Sequence, residues 1–168
     1  MTRYVAIVSV LLLVSGFALA QSPSSAVLNE DLFASLDGFG AASVDALPPT
    51  PAEQHEIQQN IKDIHFDFNR ADLRPEDHSI LEADAQWLKA HPDMLVTIEG
   101  DADERGGIVY NVVLSDDRAG TAKDALVSMG VPAGQIVYAT GWGKLYPVCM
   151  ESEESCWSQN RRAHFAAW

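Results

Sequence analysis

Two charged residues, Asp103 and Arg118, carry the chemistry this chain can most readily do. A guanidinium fork holds a carboxylate through two parallel hydrogen bonds, and an aspartate accepts an ammonium. Facing a common space, the pair would grip a small zwitterion. Facing each other, they would form an internal bridge that ties a loop to a helix. Spacing alone leaves both readings open. The stretch that contains them, Met94 to Ala119, runs MLVTIEGDADERGGIVYNVVLSDDRA: an apolar run to Gly100, a knot of charge and glycine to Gly107, then a helix. Helical spacing puts Asn111, Ser115, Arg118, Ala122, Ala125, Leu126 and Met129 on one stripe. The stripe is apolar in its last turns and polar in its first, so the sheet it covers either ends there or opens into a cleft, which would lie at the helix N-terminus. Free N–H groups and the helix dipole favour an anion there.

Other reactive constellations are weak. Asp101, Asp103 and Glu104 supply fewer oxygen ligands than a calcium loop wants. The histidines at 55, 65, 78, 91 and 164 make no ligand spacing, and serine-nucleophile, phosphate-loop and redox-dithiol motifs are missing. The expectation is a protein without catalytic residues, metal or cofactor. The two cysteines, Cys149 and Cys156, would pair in an oxidising compartment and close a short loop. A metal site and two free thiols are the alternatives.

The elements that must position these groups follow from the rest of the chain. Its 168 residues hold one domain plus tails, and a 47% apolar fraction suits a packed core. With 11 basic against 24 acidic residues, net charge -13, it gains nothing from counterion release on nucleic acid, and anionic lipid repels it. Residues 1–20 read as a signal peptide: Arg3, an apolar run from Val5 to Leu13, then Ala18-Leu19-Ala20. The apolar stretch is at the short end for a spanning helix, no cysteine stands at the cleavage point to take a lipid, and no later stretch spans a bilayer. Residues 21–59 read as an acidic tether rich in Pro, Ala and Ser, ending in Pro48-Pro49-Thr50-Pro51. Within it, Val27, Leu28, Leu32, Phe33, Leu36 and Phe39 are apolar beyond a linker's needs, and they suit either a short amphipathic docking helix or scattered linker residues.

Residues 60–168 form the folded part. A first strand is expected over Ile64 to Phe68, and a helix from about Pro75 to Ala90. A second strand covers Met94 to Glu99, and a second helix runs from about Ile108 to Met129. A third strand spans Gln135 to Thr140. A loop from Gly141 to about Trp157 holds the cysteines, then comes a short polar turn, and a last strand runs from Arg162 to Ala166. The order β-α-β-α-β-β is that of an α+β sandwich, two main helices on one face of a mixed four-stranded sheet.

From Asp63 to about Phe165 the chain resembles the OmpA-like peptidoglycan-binding domain family, in particular its peptidoglycan-associated lipoprotein branch. The resemblance rests on FDFNRADLRPE (66–76), VTIEGDADERG (96–106), YNVVLSDDRA (110–119) and SQNRRAHF (158–165), and most of all on Asn111, Leu114, Ser115, Arg118 and Ala119 in the pattern N-x-x-L-S-x-x-R-A. It implies strand order 1-4-2-3, antiparallel around the fourth strand. The implied ligand is the diaminopimelate end of a peptidoglycan stem peptide, with Asp103 on the ammonium and Arg118 on the carboxylate. The loop after the first strand (Phe66, Asp67, Asn69) and Asn111 and Leu114 of the helix complete the implied site. Asp101 stands where that branch usually carries histidine, which adds negative charge beside the site. The branch's lipid-bearing cysteine is missing. The function implied is non-covalent wall binding in the periplasm, with the outer membrane reached through a partner. The alternative is an envelope protein-interaction module that uses the tether and the acidic surface. Expected partners are peptidoglycan and other envelope proteins.

Overall fold

The structure is a computed structural model that describes residues 48–168. The expected signal peptide and all of the expected tether before Pro48, including Val27 to Phe39, lie outside the described residues. The end of the expected tether is not extended. Residues Pro51–Asn60 form helix α1. Thr50 caps it: its hydroxyl accepts from the Glu53 N–H at 3.3 Å, and the Glu53 carboxylate accepts from the Thr50 N–H at 2.7 Å. Pro51 sits at the first helical position, where its fixed φ helps and its missing N–H costs nothing. Ile57 and Ile61 are buried in the domain core, and α1 packs against the last strand.

The remaining elements are β1 (Ile64–His65), α2 (Pro75–Ala90), β2 (Val96–Asp101), α3 (Ile108–Ser128), a 3-10 turn (Ala133–Gln135), β3 (Ile136–Gly143), α4 (Glu154–Asn160) and β4 (Arg162–Ala167). The first strand is shorter than its aromatic pattern suggested, and β3 runs on through Gly143. The segment before β4 is a helix, not a turn. The sheet order is β1-β4-β2-β3, with β4 antiparallel to both neighbours and β2 parallel to β3. That is the 1-4-2-3 order implied by the family resemblance. Helices α2 and α3 cover one face, where Val96, Ile98, Ala163 and Phe165 meet Leu81, Leu88, Ala119, Ala122 and Leu126. Each large side chain buried in this way contributes about 1.5–3 kcal/mol.

Helix α3 lies against the sheet with no side chain between them at one place. Gly100 of β2 pairs with Gly141 of β3. A Cβ on Gly100 would fall 1.8 Å from the Ser115 carbonyl oxygen, and one on Gly141 would fall 2.2 Å from the Asp116 nitrogen. Both positions need glycine for close backbone approach.

Candidate ligand-binding site

Beyond Gly100 the chain leaves β2 and turns through residues 102–107 into α3. Alternation along β2 puts Gly100 on the helix side and Asp101 on the other. The loop is held from several directions. Gly106 takes φ +87°, a left-handed conformation that suits glycine. Lys144 Nζ donates to the carbonyls of Glu104 and Gly106, both at 2.8 Å. Asn111 Nδ2 donates to the carbonyls of Asp103 at 3.4 Å and Arg105 at 2.8 Å. Ser115 Oγ accepts from the Gly143 N–H at 2.8 Å, which fastens β3 to the same helix face.

Between this loop, the start of α3 and the β1–α2 loop lies a pocket of about 290 Å³. It is lined by Phe68, Asn69, Asp103, Arg105, Gly106, Tyr110, Asn111, Leu114 and Arg118. The structure thus brings Asp103, Arg118, Asn69, Asn111 and Leu114 to one cavity. Asn69 adopts φ +58°, which asparagine tolerates better than most side chains, and it accepts a hydrogen bond from the Tyr110 hydroxyl. The other two expected residues stand apart from the wall. Phe66 is buried, its ring centroid 5.2 Å from the Arg118 guanidinium carbon. Asp67 contributes its carbonyl oxygen, while its side chain is exposed.

The internal Asp103–Arg118 bridge is not what the structure contains. Arg118 is fully buried and donates to three backbone carbonyls: Arg70 at 2.9 Å, Asp101 at 2.7 Å and Asp67 at 3.3 Å. One arginine therefore clamps the β1–α2 loop and the end of β2 onto α3. Burial, and then the nearby charge of Arg161, push its pKa down to about 10, so it stays protonated at neutral pH. Asp103, 5% exposed, pairs instead with Arg105 (Nη2 to Oδ2, 2.6 Å) and Arg161 (Nη1 to Oδ2, 3.2 Å). Burial raises its pKa, but the hydrogen bonds from Arg105 and Arg161 outweigh that and hold the carboxyl below its ordinary value. Arg105 lies between two aromatic rings, 4.1 Å from the Phe68 centroid and 4.0 Å from that of Trp157. Arg161 also donates to the Phe66 carbonyl at 2.9 Å and to Glu154 at 2.5 Å.

Asp101 does not add charge to the pocket. Its carboxylate lies on the other face of the sheet, 2.7 Å from Arg162, which also reaches Asp63 at 3.3 Å. Asp63 in turn accepts from His164 at 2.8 Å. Burial pushes Asp101 up to about 6, with Arg162 pulling the other way.

Arg105, Phe68, Tyr110, Arg161 and Trp157 are the site residues that sequence reasoning missed. Arg105, Tyr110, Phe68 and Arg161 all lie within the family motifs, and only Trp157 falls outside them. Arg161 had a signal of its own, because consecutive arginines at a strand start must send their charges to opposite faces. Cys149 and Cys156 are joined in a disulfide with Cα atoms 5.2 Å apart, which closes the loop before α4.

The model of the OmpA family matches residues 65–161. A peptidoglycan-associated lipoprotein of Rhizobium meliloti is 41% identical over 152 residues, covering 90% of this chain and 82% of that protein. One from Agrobacterium fabrum is 42% identical over 129 residues, 76% of this chain and 68% of that protein. Among solved structures, the peptidoglycan-associated lipoprotein from Burkholderia pseudomallei superposes with a TM-score of 0.61 at 36% identity, over 64% of this chain and 90% of that one. The C-terminal domain of Helicobacter pylori MotB gives 0.60 at 16% identity, over 64% of this chain and 84% of that one, a likeness of fold alone.

Proposed function

The chain belongs to the OmpA family, and on that premise we propose that it binds peptidoglycan non-covalently at the pocket between the 102–107 loop and α3, tethering the wall within the cell envelope. The observation that carries this reading is the convergence of Asp103, Arg118, Asn69, Asn111 and Leu114 on one 290 Å³ cavity. The stem-peptide end of diaminopimelate, one ammonium beside one carboxylate, is matched in charge by an aspartate and an arginine. Three of Arg118's five N–H groups are engaged by backbone carbonyls, which leaves two for a ligand carboxylate. The module acts as a binder and not as a hydrolase, in the periplasm. In this reading the outer membrane is reached through a partner protein.

Retention of the purified protein on isolated sacculi tests the site. Leu114→Asp places an acid on the pocket wall without touching the Arg118 clamp, and should reduce retention by roughly tenfold or more, the scale of one lost charge-assisted contact. Retention equal to wild type would remove the pocket from consideration. Release of muropeptides by the pure protein would replace the binder with a hydrolase.

A further inference from the structure

The Asp103 carboxylate has about four acceptor positions, and the protein fills all of them. Oδ1 accepts from the Arg105 backbone N–H and from Arg105 Nε, both at 3.1 Å. Oδ2 accepts from Arg105 Nη2 at 2.6 Å and Arg161 Nη1 at 3.2 Å. A ligand ammonium therefore reaches Asp103 only by replacing a donor. Arg161 is the fixed one, 6% exposed and bound to the Phe66 carbonyl and Glu154 as well. Arg105 is the one that can yield. Its side chain is 29% exposed, it lines the pocket, and it is held otherwise by ring faces that bind a guanidinium over a range of positions. A second carboxylate is already within reach, since Glu154 Oε2 lies 3.5 Å from Arg105 Nη2 and is itself 60% exposed.

We propose that Arg105 is a specificity-determining residue whose guanidinium holds the place on Asp103 that the ligand's ammonium takes, so that binding is an exchange of one cation for another. The inference rests on the reading of the pocket as the seat of an ammonium-bearing stem-peptide end. The exchange keeps Asp103 paired throughout, which matters because an uncompensated buried charge is strongly unfavourable. Displaced from Asp103, the guanidinium stays between Phe68 and Trp157 and turns to Glu154. A ligand without an ammonium has nothing to exchange, so the pocket refuses simple dicarboxylates that would satisfy Arg118 alone.

Calorimetric titration with meso-diaminopimelate and with pimelate, its amine-free analogue, tests this. Wild type should bind the first and not the second. Arg105→Met keeps an apolar stem between the two rings and removes the competing cation. It should bind diaminopimelate about three- to tenfold tighter, the worth of a partly exposed ion pair that no longer has to be broken. Arg105→Lys restores a cation and should reverse most of that gain, which loss of loop packing would not do. Binding by Arg105→Met that equals or falls below wild type overturns the exchange, as does pimelate binding as well as diaminopimelate, while the proposed site stands. Should Arg105→Met fail to fold, Glu154→Gln carries the test. Loss of the receiving carboxylate should weaken binding about two- to fourfold, and unchanged or tighter binding overturns the exchange. If wild type binds neither diaminopimelate nor a muropeptide that contains it, the proposed function itself is overturned.

Discussion

Asp101 and Asp103 stand two residues apart at the end of β2, both buried and both facing an arginine of the consecutive pair Arg161 and Arg162, yet their environments drive them in opposite directions. The consecutive arginines point to opposite sides of the sheet; Asp101, still in β2, meets Arg162 on the face away from α3, while Asp103, past the end of the strand, turns with its loop to meet Arg161 on the helix side. On the helix side two arginines and a backbone N–H fill the acceptor positions, and the carboxyl is held below its ordinary value. On the other side Arg162 is shared with Asp63, one oxygen of Asp101 has no hydrogen-bond partner among the described residues, and burial pushes the group up to about 6. The difference teaches that a nearby arginine does not by itself fix the charge of a buried acid. The number of donors does, because each unmet lone pair restores part of the desolvation cost.

The largest expected break of this contrast is Asp103→Ala. It strands Arg105 and the buried Arg161 without their common acceptor, and should destabilise the domain by about 3–5 kcal/mol in urea unfolding at pH 7 while abolishing retention on sacculi. Arg162→Met should be milder, about 2–3 kcal/mol at pH 8 and less at pH 5, because Asp101 escapes an unpaired charge by taking a proton. A cost that does not change with pH would mean that Asp101 is not the responding group. Asp101→Asn sharpens the contrast with the smallest effect. A carboxyl whose folded value is raised above 3.8 to about 6 contributes stability that is fully present below pH 3.8 and lost as pH rises through 6. The stability advantage of wild type over Asp101→Asn should therefore shrink by roughly 2 kcal/mol between pH 4 and pH 8. Asp103→Asn should show the reverse trend: a carboxyl held below its ordinary value stabilises above that value and loses its contribution as pH falls through the folded one. Parallel pH profiles for the two variants would end the comparison.

Much of this arrangement was legible in the sequence. The α3 stripe could be read from period alone, because Asn111, Ser115 and Arg118 interrupt a face whose later turns are Ala and Leu. That switch from apolar to polar marks where the helix stops packing through apolar side chains, comes against the glycines of the sheet, and meets the pocket. Helix α1 was not read, although its signal was present: Thr50 followed by Glu53 is a capping box, masked by the surrounding prolines that suggested an extended tether. Helix α4 carries only seven residues of mixed polarity between a cysteine and a strand, too short for a period to show. The partners of Asp103 and Arg118 were out of reach for a different reason. Arg118 is satisfied by carbonyls of residues 67, 70 and 101, and backbone oxygens leave no trace in residue types. Which acid meets which of Arg161 and Arg162 depends on where β4 starts, and a shift of one residue exchanges the two faces.

The contact of Gly100 and Gly141 with the Ser115–Asp116 backbone has a consequence for heredity rather than for packing. Neither glycine lines the pocket, yet together they set how deep α3 sits and hence whether Arg118 reaches its three carbonyls. In a screen for loss of wall attachment, alleles at codons 100 and 141 should therefore behave like alleles of codon 118. Even the gentlest missense change there, to alanine, should lift the helix and carry the arginine out of its seat.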